Sequence, residues 1–318
     1  MQKLIGVSLI LVSGVSFGAM AIFARLAYEA GTDPVTLVFL RFAIASACMI
    51  LITLARRIPL PRGRAFWILV LMGSIGYAGQ SFCYFTALTF ASAGLVALLL
   101  YLYPALVTLL ATLFLKEPIS KLKVSALIVA LFGTALTIGP SGGGKPLGIV
   151  LSLGAALIYA CYILVGSKAA IQGAAILSST VIITSAAVVY SGLVAVRGLT
   201  LPTTLSGWAS VAAIALVSTV LAVITFLAGL ERVGPTNAAT LSTIEPVVTV
   251  LLAGPVLGET ITPLRVVGGA MILLAVIFLA RGEMEGLNVR SRAHQKGQGK
   301  EFVEGFNHAE SPSGRSSI

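Results

Sequence analysis

The chain has 318 residues, of which 58% are hydrophobic and only 10% charged, with a mean hydropathy of +1.03. No ordinary soluble domain stays in solution at that composition, so the sequence reads as an integral membrane protein. The net charge of +10 does not mark a nucleic-acid binder: from Gly282 onward five Lys/Arg balance five Glu, and the excess lies in the apolar body, mostly in short loops, where it signals topology.

Ten runs are long enough for a helix to cross ~30 Å of hydrocarbon. They cover 4–28, 34–55, 65–89, 92–115, 121–138, 147–168, 174–196, 207–230, 234–257 and 263–280. The first follows Lys3 like a signal peptide, but its apolar part is too long and lacks a clear cleavage site, so it is kept as a transmembrane helix. Turn chemistry separates the runs, as in Gly31-Thr32-Asp33-Pro34 and Gly139-Pro140-Ser141-Gly142, and Ser120 and Thr262 are suited to cap the helices that follow them. Arg56, Arg57, Arg62 and Arg64 crowd the loop after the second run, and Lys116, Lys121 and Lys123 the loop after the fourth. Both loops are therefore expected to be cytoplasmic, and ten helices then place both termini inside. The tail 282–318 has no apolar periodicity and is expected to be a disordered cytoplasmic segment.

Cys48, Cys83 and Cys161 lie inside apolar runs with no disulfide or metal spacing, and both histidines, His294 and His308, lie in the tail. The expectation is no metal and no cofactor. A membrane enzyme would need a paired acid and base or a metal set, and the apolar body offers one lone carboxylate. No GxxxxGK[ST] motif occurs, so ATP does not drive this chain directly.

The chain repeats itself. A shift of about 142 residues lays Tyr103-Pro104-Ala105-Leu106-Val107 over Glu245-Pro246-Val247-Val248-Thr249, and Leu115-Lys116-Glu117 over Leu257-Gly258-Glu259, without gaps. This predicts two five-helix repeats, 1–140 and 141–281, and an odd number of helices makes the second enter from the opposite side. The expected fold is all-α, with ten transmembrane helices as two inverted five-helix repeats. Secondary transporters are built this way, with sites near the midplane at the repeat interface.

Glu245 and Pro246 stand side by side in the ninth run. On insertion scales a charge at a helix centre costs about 2.5–3.5 kcal/mol, so the pair is expected to face protein or water. Glu245 either pairs structurally with Arg41 or binds a proton or a substrate ammonium directly; the two readings compete, since a paired carboxylate stays ionised. Pro104 and Pro246 occupy matching positions and are expected to break or kink their helices. In the third run Tyr77, Gln80 and Tyr84 share one face, either as a cavity wall or in bonds between helices, beside a stripe of Gly73, Gly76 and Gly79. Tyr101 and Tyr103, Tyr159 and Tyr162, Asn237 and Thr240, and Phe17 beside a Gly14/Gly18 packing ridge complete the candidate pathway. The runs 121–138 and 263–280 carry little polarity and are expected at the periphery, facing lipid or a second copy in a homodimer. Glu117 and Glu259 there read as favouring the dipole of the helix that follows each.

With an Arg41-Phe42 pair, a proline-bearing fourth run ending in Glu117, and a Glu-Pro-Val ninth run ending in Gly258-Glu259, the sequence from 6 to 281 resembles the EamA-type branch of the drug/metabolite transporter superfamily. That resemblance implies a transporter in a bacterial inner (plasma) membrane that moves a small organic metabolite by alternating access. An exporter of amino acids is favoured, because sugar-nucleotide or organic-phosphate cargo wants more intramembrane cations than Arg41.

Overall fold

The computed structural model describes residues 2–59, 62–115, 121–138, 144–169, 175–233, 238, 241–242 and 244–278. Each of the ten predicted runs contains helix, and no strand forms among the described residues beyond an isolated bridge between Ala91 and Gly144. We number them α1 (Gln2–Gly18 and Met20–Glu29), α2 (Pro34–Ala55), α3 (Arg64–Leu71 and Ala78–Ala87, joined by a π-helical stretch Met72–Tyr77) and α4 (Ala93–Leu100 and Tyr103–Leu115). Next come α5 (Lys121–Ile138), α6 (Pro146–Ala169), α7 (Ala175–Arg197) and α8 (Leu205–Ala215 and Ala222–Val233, joined by a π-helical stretch Leu216–Leu221). The last are α9 (Ile244–Leu257) and α10 (Pro263–Phe278). Seven of them, α1–α4 and α6–α8, are long and apolar enough to span a bilayer; α5, α9 and α10 contain shorter apolar helices.

Local chemistry sets the ends. Asp33 caps α2, accepting from the Val35 and Thr36 amides at 2.9 and 3.2 Å and from the Thr36 hydroxyl at 2.6 Å, with Pro34 in the first helical position. Burial pushes the Asp33 carboxyl up, but bonds from Thr36, Thr200 and Val35 outweigh it and leave the group below its usual range. The cap therefore contributes fully above the unfolded carboxyl range and is lost as pH falls through the depressed folded value. Asp33→Ala should cost about 1 kcal/mol at neutral pH, a deficit that disappears in strong acid when melting is followed against pH. Gly31 and Gly258 end α1 and α9 in the left-handed region at φ 91° and 65°. Thr262 caps α10 through the Arg265 amide at 3.3 Å. The Ser120 cap, Glu117 and the tail 282–318 lie outside the described residues.

Eight helices close a ring in the order α1, α9, α4, α6, α3, α7, α2, α8, each packed on the next and α8 on α1. Exchanging the two repeats (α1 with α6, α2 with α7, α3 with α8, α4 with α9) maps this ring onto itself. Small residues allow the close approaches: a Cβ on Gly18 would stand 2.6 Å from the Glu245 carbonyl oxygen in α9, and one on Gly73 2.4 Å from the Ile182 carbonyl oxygen in α7. The glycine stripe of α3 serves two neighbours, since Gly76 and Gly79 face Tyr162 and Ile158 of α6. α5 lies outside the ring on α4, and α10 packs on it through Gly133 and Gly268.

Phe42, Met49, Phe85, Leu99 and Ile214 are fully buried inside the bundle. The perimeter is equally apolar: Phe114 is 75% and Leu205 86% exposed. Apolar surface on both sides fits a lipid solvent.

At the end opposite the basic loops, the connections bond to one another. Ala30 O accepts both the amide and hydroxyl of Thr203, at 2.9 and 3.0 Å, and Phe90 O accepts the Lys145 amide at 2.8 Å. Glu259 corrects a sequence expectation. It serves not the helix after it but the start of α4, accepting from the Ala93 and Gly94 amides at 2.6 and 3.2 Å. Glu259→Gln should lower stability by about 1–2 kcal/mol, the range of a lost charge-assisted bond, read as a lower melting temperature in detergent.

Candidate functional site

The broken helices place their breaks where the polar residues gather. α4 is interrupted at Tyr101 and Leu102, so Pro104 falls in the first turn of its second segment, where no backbone N–H is needed. Pro246 has the matching place, third in α9, while a third proline, Pro255, lies further inside that helix. α1 breaks at Ala19, immediately after Gly18, and there the Thr249 hydroxyl of α9 donates to Gly18 O at 2.7 Å.

A line of tyrosines runs from the break of α4 across α6 to α3. Tyr101 and Tyr103 of α4 meet edge to face at 5.7 Å between ring centres, and Tyr103 meets Tyr159 of α6 at 4.7 Å. Tyr159 stacks on Tyr162 at 5.9 Å, and Tyr162 approaches Tyr77 of α3 at 6.2 Å. Glu245 lies at the α4 end of this ladder, beside the Tyr101 hydroxyl, which itself donates to the carbonyl of Ser242. Tyr77, Tyr103, Tyr159, Tyr162 and Glu245 are only half-buried although they face the interior, so the ring encloses accessible space. At 1.5 Å per residue Glu245 lies about 18 Å from the end of α9, near mid-bilayer.

Arg41 stands at the other end of the ladder. It is buried, donating from Nε to Thr219 Oγ1 at 2.9 Å and from Nη2 to Tyr77 Oη at 2.8 Å, with its guanidinium carbon 5.0–5.6 Å from the ring centres of Phe42, Phe85 and Tyr77. The structural pair with Glu245 entertained from the sequence does not form. α2 packs on α7, α8 and α3, whereas α9 packs on α1 and α4, so the two residues belong to different parts of the ring.

The other candidates separate. Tyr84 is buried in the core against Phe85, and buried Gln80 accepts from Ser81 at 3.4 Å; both share the face predicted with Tyr77 but do not join the ladder. Phe17 is half-buried at the α1 break and makes none of these ring contacts. Asn237 and Thr240 lie outside the described residues. Sequence reasoning missed Thr219 and the walls supplied by Phe42, Phe85 and Tyr190. A signal for Thr219 existed, because the repeat shift of about 142 residues carries Tyr77 onto it.

A solved structure described only as a crystal structure of a protein shares this fold at a TM-score of 0.63 and 21% identity, covering 87% of this chain and 97% of that one. A search of curated proteins returns no match. The model of the EamA-like transporter family matches residues 4–139 and again 146–281. With a match to each half of an all-helical, two-repeat membrane chain, this protein belongs to the EamA-like transporter family.

Proposed function

We propose that this transporter is a secondary exporter of small organic metabolites, amino acids foremost, working by alternating access in a bacterial inner membrane with both termini cytoplasmic. The observation that carries the reading is the tyrosine ladder ending at Glu245. It sets a carboxylate and several aromatic faces around a half-open interior at the junction of the repeats. A carboxylate among rings suits a substrate ammonium, through charge and through the ring faces, and the apolar stretches between hydroxyls suit a small organic side chain. The symmetric ring supplies the mechanics, since rocking one repeat against the other exposes a midplane site to each side in turn. The outward faces of α5 and α10, with Ile128, Phe132 and Val267 exposed, meet lipid or a second copy of this chain.

The test is flux in proteoliposomes. Vesicles holding purified protein and loaded with single unlabelled amino acids should accumulate the matching labelled amino acid faster than protein-free vesicles, at least for one member of the set. No protein-dependent counterflow across the twenty would overturn the amino-acid reading.

A further inference from the structure

Arg41 is a buried guanidinium without a counter-anion. It is 2% exposed, and no described carboxylate pairs with it, because both its hydrogen-bond partners are neutral hydroxyls. The three surrounding rings offset part of the desolvation, but a charge in that position is a standing demand for an anion.

The fold builds a seat for it. Tyr77 and Thr219 are equivalent residues of the two repeats, and each lies in the π-helical stretch of its helix, at Met72–Tyr77 and Leu216–Leu221. Such stretches widen a helix locally and recur at functional sites. The Thr219 hydroxyl donates to Ile214 O, five residues back, at 2.9 Å, so its proton is committed and a lone pair is left for Arg41 Nε. With Nε and Nη2 held, the guanidinium plane is set and Nη1 is the edge left over. No described residue accepts from Nη1. The buried side-chain polar atoms lacking a partner among the described residues are Thr32 Oγ1, Ser218 Oγ and Ser242 Oγ; Nη1 is not one of them. Tyr77, which holds Nη2, is also the first rung of the ladder to Glu245.

We propose that Arg41 is the anion-recognition residue of the transport site, its Nη1 edge taking the carboxylate of the substrate while matched residues of the two repeats hold the guanidinium in place. This rests on the transporter reading and deepens it to a substrate with a carboxylate at Arg41 and a cationic group toward Glu245. One guanidinium with neutral neighbours suits a single carboxylate better than a doubly charged phosphate. Because carboxylate and Arg41 meet in the ring, substrate occupancy also bears on both π-helical stretches at once.

The experiment is thermal unfolding of the full chain in detergent. The ligands are the twenty amino acids, the methyl ester of each one that stabilises, the ammonium-free carboxylates isovalerate and benzoate, and chloride exchanged for gluconate. In wild type, a stabilising amino acid should need at least tenfold less ligand for half-saturation than its ester. Arg41→Gln should abolish that preference, and Thr219→Val, which leaves the charge and the side-chain shape, should shrink it at least threefold. If isovalerate or benzoate stabilises through Arg41 while no amino acid does, the anion site stands and the amino-acid reading falls. Persistence of the acid-over-ester preference in Arg41→Gln overturns the proposal; should that variant not fold, an undiminished preference in Thr219→Val does so. Stabilisation by chloride alone, or by none of these ligands, overturns it as well.

Discussion

Glu245→Gln should remove the dependence of transport on a pH gradient. Glu245 is the carboxylate among the half-buried groups at the α4 end of the ladder, and Arg41 does not neutralise it, so its charge is free to change between the two faces of the transport cycle. Glutamine keeps the shape and leaves the Tyr101 bond to the Ser242 carbonyl in place, so the fold should survive. In proteoliposomes holding an established substrate, an imposed pH gradient should speed wild-type flux at least tenfold, about 1.4 kcal/mol of barrier. The Gln variant, which also lacks the anion facing the substrate's cationic group, should show slower exchange that ignores the gradient. A transport-competent Gln variant that still follows the gradient as wild type does would dismiss Glu245 as the coupling residue.

Gly18→Val should be among the most destabilising single changes in the chain. Its Cβ would stand 2.6 Å from the Glu245 carbonyl oxygen and 2.8 Å from Val248 Cβ, and the first of these is backbone that cannot rotate away. Relief requires α1 and α9 to part, which also stretches the Thr249 bond to Gly18 O. In a bilayer, close packing is a principal force holding helices together, and overpacking costs about 1–3 kcal/mol or more. Gly192→Ala is the control, because nothing lies within 4 Å of its added Cβ. Melting in detergent should fall by several degrees for Gly18→Val and stay at the wild-type value for Gly192→Ala. Equal melting of the two would show that the α1–α9 approach carries no weight.

Much of this architecture was legible in the residues themselves. The apolar runs, the turn residues between them and the Asp33-Pro34 start of α2 all act through neighbours in sequence. The alignment of Tyr103-Pro104 with Glu245-Pro246 likewise needed no coordinates. Helix breaks were half legible. Pro104 marked the one in α4, but the break of α1 at Ala19 and the π-helical stretches in α3 and α8 contain no proline. They follow from packing against other helices and from side-chain bonds such as Thr219 to Ile214, which compete with the regular ladder.

The partners of the charged residues were not legible. Counting along a helix gives depth, and by depth alone Arg41 and Glu245 could have met. Which face of a helix looks inward, and which helix stands beside it, depends on how glycines and bulky side chains of all ten segments fit together. Arg41 found Thr219, 178 residues away, and Glu245 found Tyr101, because the ring orders its helices α9, α4 and α7, α2, α8 rather than in chain order. The sequence by itself therefore determined a two-repeat membrane chain and the residues able to act in it, since hydrophobicity and turn chemistry are local. Only the tertiary structure decided that Glu245 is left without Arg41 at one end of a tyrosine ladder, and that Arg41 is seated between the repeats at the other. Those placements are set by long-range packing, to which the local pattern is indifferent.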